Sequence, residues 1–163
     1  MSAITLRPIC DDDDGVMHDM FVAIRRGPMD SAGFDPVTVE RLMRHQFDMQ
    51  RAGYRFACPA ATWEAILADG VVVGRMVTDD DDARVMLVDI MVDPAHQRQG
   101  HGSQALAVLI DRAGKRPIEL RVDHGSPAAS WYQRYGFERV GADDLQAHLV
   151  RVPTATALVA TGA

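Results

Sequence analysis

Three features of this sequence have the residue types and spacing to do chemistry: the loop Gln97-Arg98-Gln99-Gly100-His101-Gly102, the tyrosine Tyr132 in an aromatic run, and Asp89 inside an apolar stretch. The loop follows the apolar stretch 85–92 and precedes a segment of helical periodicity, so it should join a strand to a helix. Successive backbone N–H groups and the positive end of a helix dipole then converge on one point, which suits an anion. Glycines without a Cβ let the chain turn tightly and let a bulky diphosphate come close. Two glycines before a helix also arise in plain strand-to-helix turns, so the loop alone leaves both readings open. A P-loop is excluded, because G-x-x-x-x-G-K-[ST] is absent and the only lysine, Lys115, lies downstream. The dinucleotide fingerprint fails too, with Ala105 at its third glycine and no early strand-loop-helix unit carrying a distal acid. Other diphosphates remain, coenzyme A among them.

The elements that must hold these residues can be read from periodicity. Alternation over 4–9, broken by Pro8, predicts a first strand near a sheet edge. The aspartates Asp11 to Asp14 lack the spaced ligands of a calcium loop and are expected to cap a helix over 16–26, stopped at Gly27-Pro28. A second helix should start at Pro36, with Val39, Leu42, Met43, Phe47 and Met49 on its apolar face and Gly53 as terminator. Segments 61–67 and 71–77 flank Asp69-Gly70, a hairpin signal, and a second acidic run, 79–82, should turn the chain into the strand 85–92. Beyond the loop come a helix ending at Gly114, a strand over 118–122, a short helix over 128–135 closed by Gly136, and strands over 137–140 and 148–152. Hairpins in the first half and helical crossovers in the second predict an α/β (α+β) arrangement with a mixed sheet and helices packed on its faces. No repeat or linker divides the chain, so one domain is expected over 1–153, with a loose tail over 154–163.

Composition bounds the partners. The 163 residues carry a formal net charge of -6, 47% hydrophobic and 25% charged residues, enough for a packed core and without the basic surplus that nucleic acid requires. No apolar run reaches a membrane span, and the start lacks a secretory pattern, so a cytoplasmic protein is expected with Cys10 and Cys58 reduced. His18, His45, His96, His101 and His148 show no metal-ligand spacing, so no metal is called for.

The run Val92-Asp93-Pro94 through Gln97-Arg98-Gln99-Gly100-His101-Gly102 resembles the [RQ]-x-x-G-x-[GA] acetyl-CoA motif of the GNAT superfamily of N-acetyltransferases. Ala128-Ala129-Ser130-Trp131-Tyr132-Gln133-Arg134-Tyr135-Gly136-Phe137 resembles that superfamily's A-x-x-x-Y-x-x-x-G-F segment, one helix and one strand further on. The resemblance covers nearly the whole chain in element order. It implies a mostly antiparallel twisted sheet of about seven strands, splayed between 85–92 and 118–122, with the pantetheine arm of acetyl-CoA lying in the gap. Ile90, Met91, Val92, Gln97, Arg98, Gln99, Gly100, His101, Gly102, Ser103, Ser126 and Tyr132 would then hold the cofactor.

The same resemblance implies direct attack of a primary amine on the thioester, a backbone N–H near 90–92 as oxyanion donor, and the Tyr132 phenol near the departing sulfur. The sequence departs from the family pattern twice. Ser126 or Gly125 stands where an asparagine is frequent, and Val88 where many relatives carry a glutamate base. Asp89 is next to it but on the opposite strand face unless a bulge intervenes, so it reads either as a base or as a structural acid paired with an arginine. Glu64 and His124 are alternative bases acting through water. Arg25, Arg26, Arg44 and Trp63 are candidates for an acceptor pocket for a small-molecule or peptide amine, and homodimerisation rests only on analogy with relatives. A noncatalytic acyl-CoA-binding module and a structural domain with a vacant loop are the competing readings.

Overall fold

The computed structural model describes residues 2–154. It contains β1 (Ile4–Pro8), α1 (Asp14–Arg25) preceded by a single 3-10 turn, α2 (Gly27–Asp30), α3 (Pro36–Ala57), β2 (Thr62–Ala68), β3 (Val71–Asp80), β4 (Val85–Val92), α4 (His101–Ala113), β5 (Ile118–Asp123), α5 (Ala128–Gln133), β6 (Glu138–Ala142) and β7 (Gln146–Arg151). The strands form one seven-stranded sheet in the order β1-β2-β3-β4-β5-β7-β6. Among the described residues only the β4–β5 pair is parallel, as the intervening helix α4 requires. The 155–163 part of the expected loose tail lies outside the described residues.

Local chemistry sets the boundaries. Asp35 caps α3 by accepting from the amides of Val37 and Thr38 at 3.1 and 3.0 Å, and Pro36 supplies the pre-set φ of the first turn. The helix runs through Gly53 to Ala57 and stops before Pro59, so the expected terminator is an interior residue. Met49, expected on its apolar face, is exposed. Pro28 does not end the helical region but opens the short α2. Asp69 and Gly70 both take positive φ (49° and 80°), the geometry a tight hairpin needs. β3 continues through the start of the acidic run to Asp80. The aspartates before α1 are not side-chain caps of that helix. Asp13 instead accepts from Arg7 at 2.6 and 2.8 Å and from the Cys10 amide at 2.9 Å, while Asp14 takes Arg44 and Arg51.

Two apolar clusters lie on opposite faces of the sheet. Ala105, Leu106 and Leu109 of α4 pack with Leu87, Ile118, Leu120, Tyr132 and Phe137 on one face. Met17, Met20 and Phe21 of α1 pack with Val39, Met43 and Phe47 of α3, and with Ala65 and Met91, on the other.

Candidate functional site

The strand leading into the loop changes facing halfway along. In the β3–β4 ladder Val77 pairs with Asp89 but Thr78 with Leu87, which leaves Val88 as an extra, bulged residue. Before the bulge Val85 and Leu87 point to the α4 face. After it Ile90 packs on that face, and Met91 joins the α1/α3 cluster. Because side chains alternate, Asp89 shares the α1/α3 face with Met91. The bulge also ends the parallel pairing: β5 meets β4 only at Val85, Met86 and Leu87, so 89–92 is splayed from its neighbour. The Asp93 amide donates to Val73 of β3 at 2.9 Å, and strand alternation then turns the backbone amides of Ile90 and Val92 toward the gap.

Beyond β4 a 3-10 turn, Pro94–His96, is capped by Asp93, and the chain enters the loop. Arg98 and Gly100 both have positive φ (61° and 84°). For Gly100, the N-cap of α4, this costs little; for Arg98 it is a strained conformation that the surrounding loop must enforce. Gly102 follows on the first turn of α4. A Cβ there would sit 3.5 Å from Val92 and 3.8 Å from Trp131, in ordinary contact. Nothing in the packing forbids alanine at 102.

A cleft of about 690 Å³ opens on the α4 face and is lined by Ile90, Val92, Gln97, Arg98, Gly100, His101, Gly102, Ser103 and Tyr132 among others. Two segments about thirty residues apart in the predicted site thus meet in one cavity. Tyr132 is buried, its ring 4.7 Å from that of Trp131 and 5.5 Å from Phe137. Its hydroxyl makes no hydrogen bond among the described residues. Burial first, and the Asp89 carboxylate second, hold this phenol well above the ordinary tyrosine range. His101 is buried with Nδ1 unpartnered, and Gln97 donates to the Val92 carbonyl at 3.0 Å.

Three of the expected cofactor residues stand apart from this cleft. Met91 turns to the opposite face, which a strand period of two dictates. Gln99 lines a separate hollow behind the loop, together with Asp69 and Val71. The Ser126 hydroxyl is used locally, accepting from the Ala128 amide at 3.2 Å. Conversely, Trp131, a variable position of the A-x-x-x-Y-x-x-x-G-F segment, lines the cleft and donates from Nε1 to Ser103 Oγ at 3.4 Å.

On the other face, Asp89 accepts from Arg75 through Nε at 3.0 Å and Nη2 at 2.7 Å, both on Oδ2. Its Oδ1 has a single long contact, 3.5 Å from the Tyr54 hydroxyl. Burial and the neighbouring Asp89 charge push Tyr54 up to about 12. Of the two water-mediated candidates, Glu64 is tied to Arg112 at 2.8 Å on the α4 face, and His124 Nε2 is engaged with the Asp143 carbonyl at 2.7 Å. Arg44 and Trp63 line a cleft of about 430 Å³ between α1, α3 and the sheet. Arg25 sits over the Phe21 ring and Arg26 pairs with Asp30; neither lines that cleft. Among the described residues no three His, Cys, Asp or Glu side chains gather as a metal site, and Cys10 and Cys58 are free. No helix among the described residues is long and apolar enough to cross a membrane.

Residues 60–139, from just before β2 to the start of β6, match the acetyltransferase (GNAT) domain family. The chain carries a GNAT acetyltransferase domain. A mycothiol acetyltransferase of Kineococcus radiotolerans is 32% identical over 92 residues, 56% of this chain but only 24% of that protein, so the chain spans about a quarter of this curated relative. The fold superposes on the PaiA N-acetyltransferase of Thermoplasma acidophilum in complex with coenzyme A at a TM-score of 0.67, with 12% identity over 93% of this chain and 99% of the other. An acetyltransferase of Thermus thermophilus gives the same TM-score, with 22% identity over 94% of this chain and 100% of the other. These two likenesses show that the fold is shared over more than nine tenths of the chain.

Proposed function

We propose that this GNAT domain is an N-acetyltransferase that moves the acetyl group of acetyl-CoA to an amine. The observation that carries the reading is the single cleft in which the α4 N-terminus, the splayed end of β4 and Tyr132 meet. The N–H groups of the α4 N-terminus and the loop backbone would donate to the coenzyme diphosphate, with His101 Nδ1 available as a further hydrogen-bonding group. The pantetheine arm would enter the β4–β5 gap and stand in for the missing strand partner, accepting from the inward amides of Ile90 and Val92.

The thioester carbonyl then lies at the gap between the two faces of the sheet. The amine approaches from the α1/α3 face and its lone pair attacks the carbonyl carbon. A β4 amide stabilises the oxyanion of the tetrahedral intermediate. As the C–N bond forms, the nitrogen becomes acidic and its proton passes to Asp89 Oδ1, the oxygen not held by Arg75. Collapse breaks the C–S bond, and the Tyr132 hydroxyl hydrogen-bonds the departing thiolate. Full transfer from the phenol is disfavoured, because a phenol raised above its usual pKa of about 10 is a weaker acid than a thiol near 8.5.

Incubation with acetyl-CoA and a panel of primary amines, followed by free-thiol detection, tests this. Amine-dependent thiol release is expected. Saturable CoA binding with no release for any amine would reassign the chain to a noncatalytic acyl-CoA-binding module.

A further inference from the structure

The cleft on the α1/α3 face has a charge pattern opposite to that of the whole chain. Four guanidinium groups, those of Arg44, Arg51, Arg55 and Arg75, line it, although the protein's formal net charge is -6. Two aromatic rings hold them in place. Arg44 and Arg51 lie over Phe47 at 5.5 and 5.2 Å, and Arg55 and Arg75 lie over Trp63 at 5.6 and 5.5 Å. Such stacking orients the planar donors and leaves their edges for oxygen ligands.

The carboxylates nearby do not use up these donors. Asp14 accepts one nitrogen from Arg44 and one from Arg51, Asp48 pairs with the Arg44 Nε at 3.5 Å, and Asp11 stands at the rim. Arg75 is 1% exposed, and its Nε and Nη2 go to Asp89 and Gln50. Its Nη1 has no hydrogen-bond partner among the described residues. Arg55 is exposed to the cleft and forms no ion pair among the described residues. A buried arginine with an unspent N–H edge, beside a second arginine with no counter-charge, is a built receptor for a planar or tetrahedral oxyanion.

We propose that the acceptor amine carries an anionic oxygen group, a carboxylate or a phosphate, seated on Arg75 Nη1 and Arg55 against the Trp63 ring. The inference rests on the acetyl-transfer reading and names the acceptor class of that site. Arg75 connects the two functions: through Nε and Nη2 it fixes Asp89, where the amine docks, and through Nη1 it meets the acceptor's anion. The anion and the amine are therefore close together in the acceptor, as in a short amino acid or a phosphorylated amine. An acceptor with several cations and no acid would leave the surplus positive charge uncompensated and meet repulsion.

The test uses matched probes, n-butylamine against 4-aminobutyrate and ethanolamine against O-phosphoethanolamine, with the wild type and Arg55→Gln. Binding to the protein–CoA complex is followed by calorimetry, and turnover with acetyl-CoA by thiol release. The anionic member of at least one pair is expected to bind and react better by at least about tenfold, and R55Q should abolish most of that ratio. The responding pair identifies carboxylate or phosphate. Equal binding within both pairs, or a preference that R55Q leaves intact, overturns the proposal. An R55Q-sensitive anion preference in binding with no thiol release supports the anion site and instead sinks the transfer reading.

Discussion

Tyr132 and Gly102 separate chemistry from packing at the scale of single residues. The Tyr132 ring belongs to the α4-face core, whereas its hydroxyl has no partner among the described residues. Replacing it with phenylalanine should leave the unfolding free energy within about 1 kcal/mol and lower kcat by about 100-fold, measured by chemical denaturation and steady-state thiol release. Unchanged kcat would remove the phenol from the mechanism. Gly102 gives the converse pattern. Alanine meets only ordinary contacts there and improves helix propensity by about 0.5–1 kcal/mol, but its methyl projects toward Val92 and Trp131, into the cleft proposed for the coenzyme. Thermal stability should rise slightly while CoA affinity, read by calorimetry, falls. At this scale the sequence was most legible in the loop, because glycine spacing before a helix has a direct backbone meaning. Asp89 was legible only as an acid with some arginine for a partner: its facing depends on the Val88 bulge, and Arg75 lies on another strand with no spacing that announces it.

Among the elements, the β3–β4 pair and the turn before α1 carry the most specific requirements. Gly74 sits opposite Val92, and a Cβ on it would approach the Met91 carbonyl to 2.4 Å. Gly74→Ala should cost about 1–3 kcal/mol in denaturant unfolding, and weaken CoA binding through the displaced end of β4. The Arg7–Asp13 pair ties β1 to the start of α1. Arg7 foremost, with the Cys10 amide, holds the Asp13 carboxyl well below the usual range. A depressed folded pKa gives stability that is present above the unfolded value of about 3.9 and lost as pH falls below it. Asp13→Asn should therefore cost about 1–3 kcal/mol at neutral pH, and the gap from wild type should narrow in denaturation curves taken below about pH 4. Periodicity located nearly every strand and helix here. What it read only in part were the acidic runs and Gly53, where tertiary partners decide: Asp13 caps the 3-10 turn that leads into α1 rather than α1 itself and is held by Arg7, β3 takes in Asp79 and Asp80 before the turn, and α3 continues past its glycine to Ala57.

The whole molecule divides its work between the two faces of the sheet. The α4 face, largely inside the segment 60–139 that matches the GNAT family, holds the donor cleft. The α1/α3 face, built mainly from residues before that segment, holds the arginine-lined cleft. The family motifs named most of the residues that line the α4-face cleft, whereas the proposed acceptor cleft arises from the packing of two helices on the sheet, and only the structure brings Arg55, Trp63 and Arg75 together. Ile90 and Val92 of β4 line the donor cleft, and the arginine-lined cleft reaches β4 through the Arg75–Asp89 pair, so under the proposed reaction donor and acceptor meet at that end of β4 in one complex. The most direct measurement is to follow an isotopically labelled acetyl group from acetyl-CoA by mass spectrometry in the presence of 4-aminobutyrate or O-phosphoethanolamine. Stoichiometric appearance of the label as an amide on the acceptor nitrogen, matched by free CoA, is expected. Label that stays on CoA or appears only as acetate, while acetyl-CoA binds saturably, would contradict it.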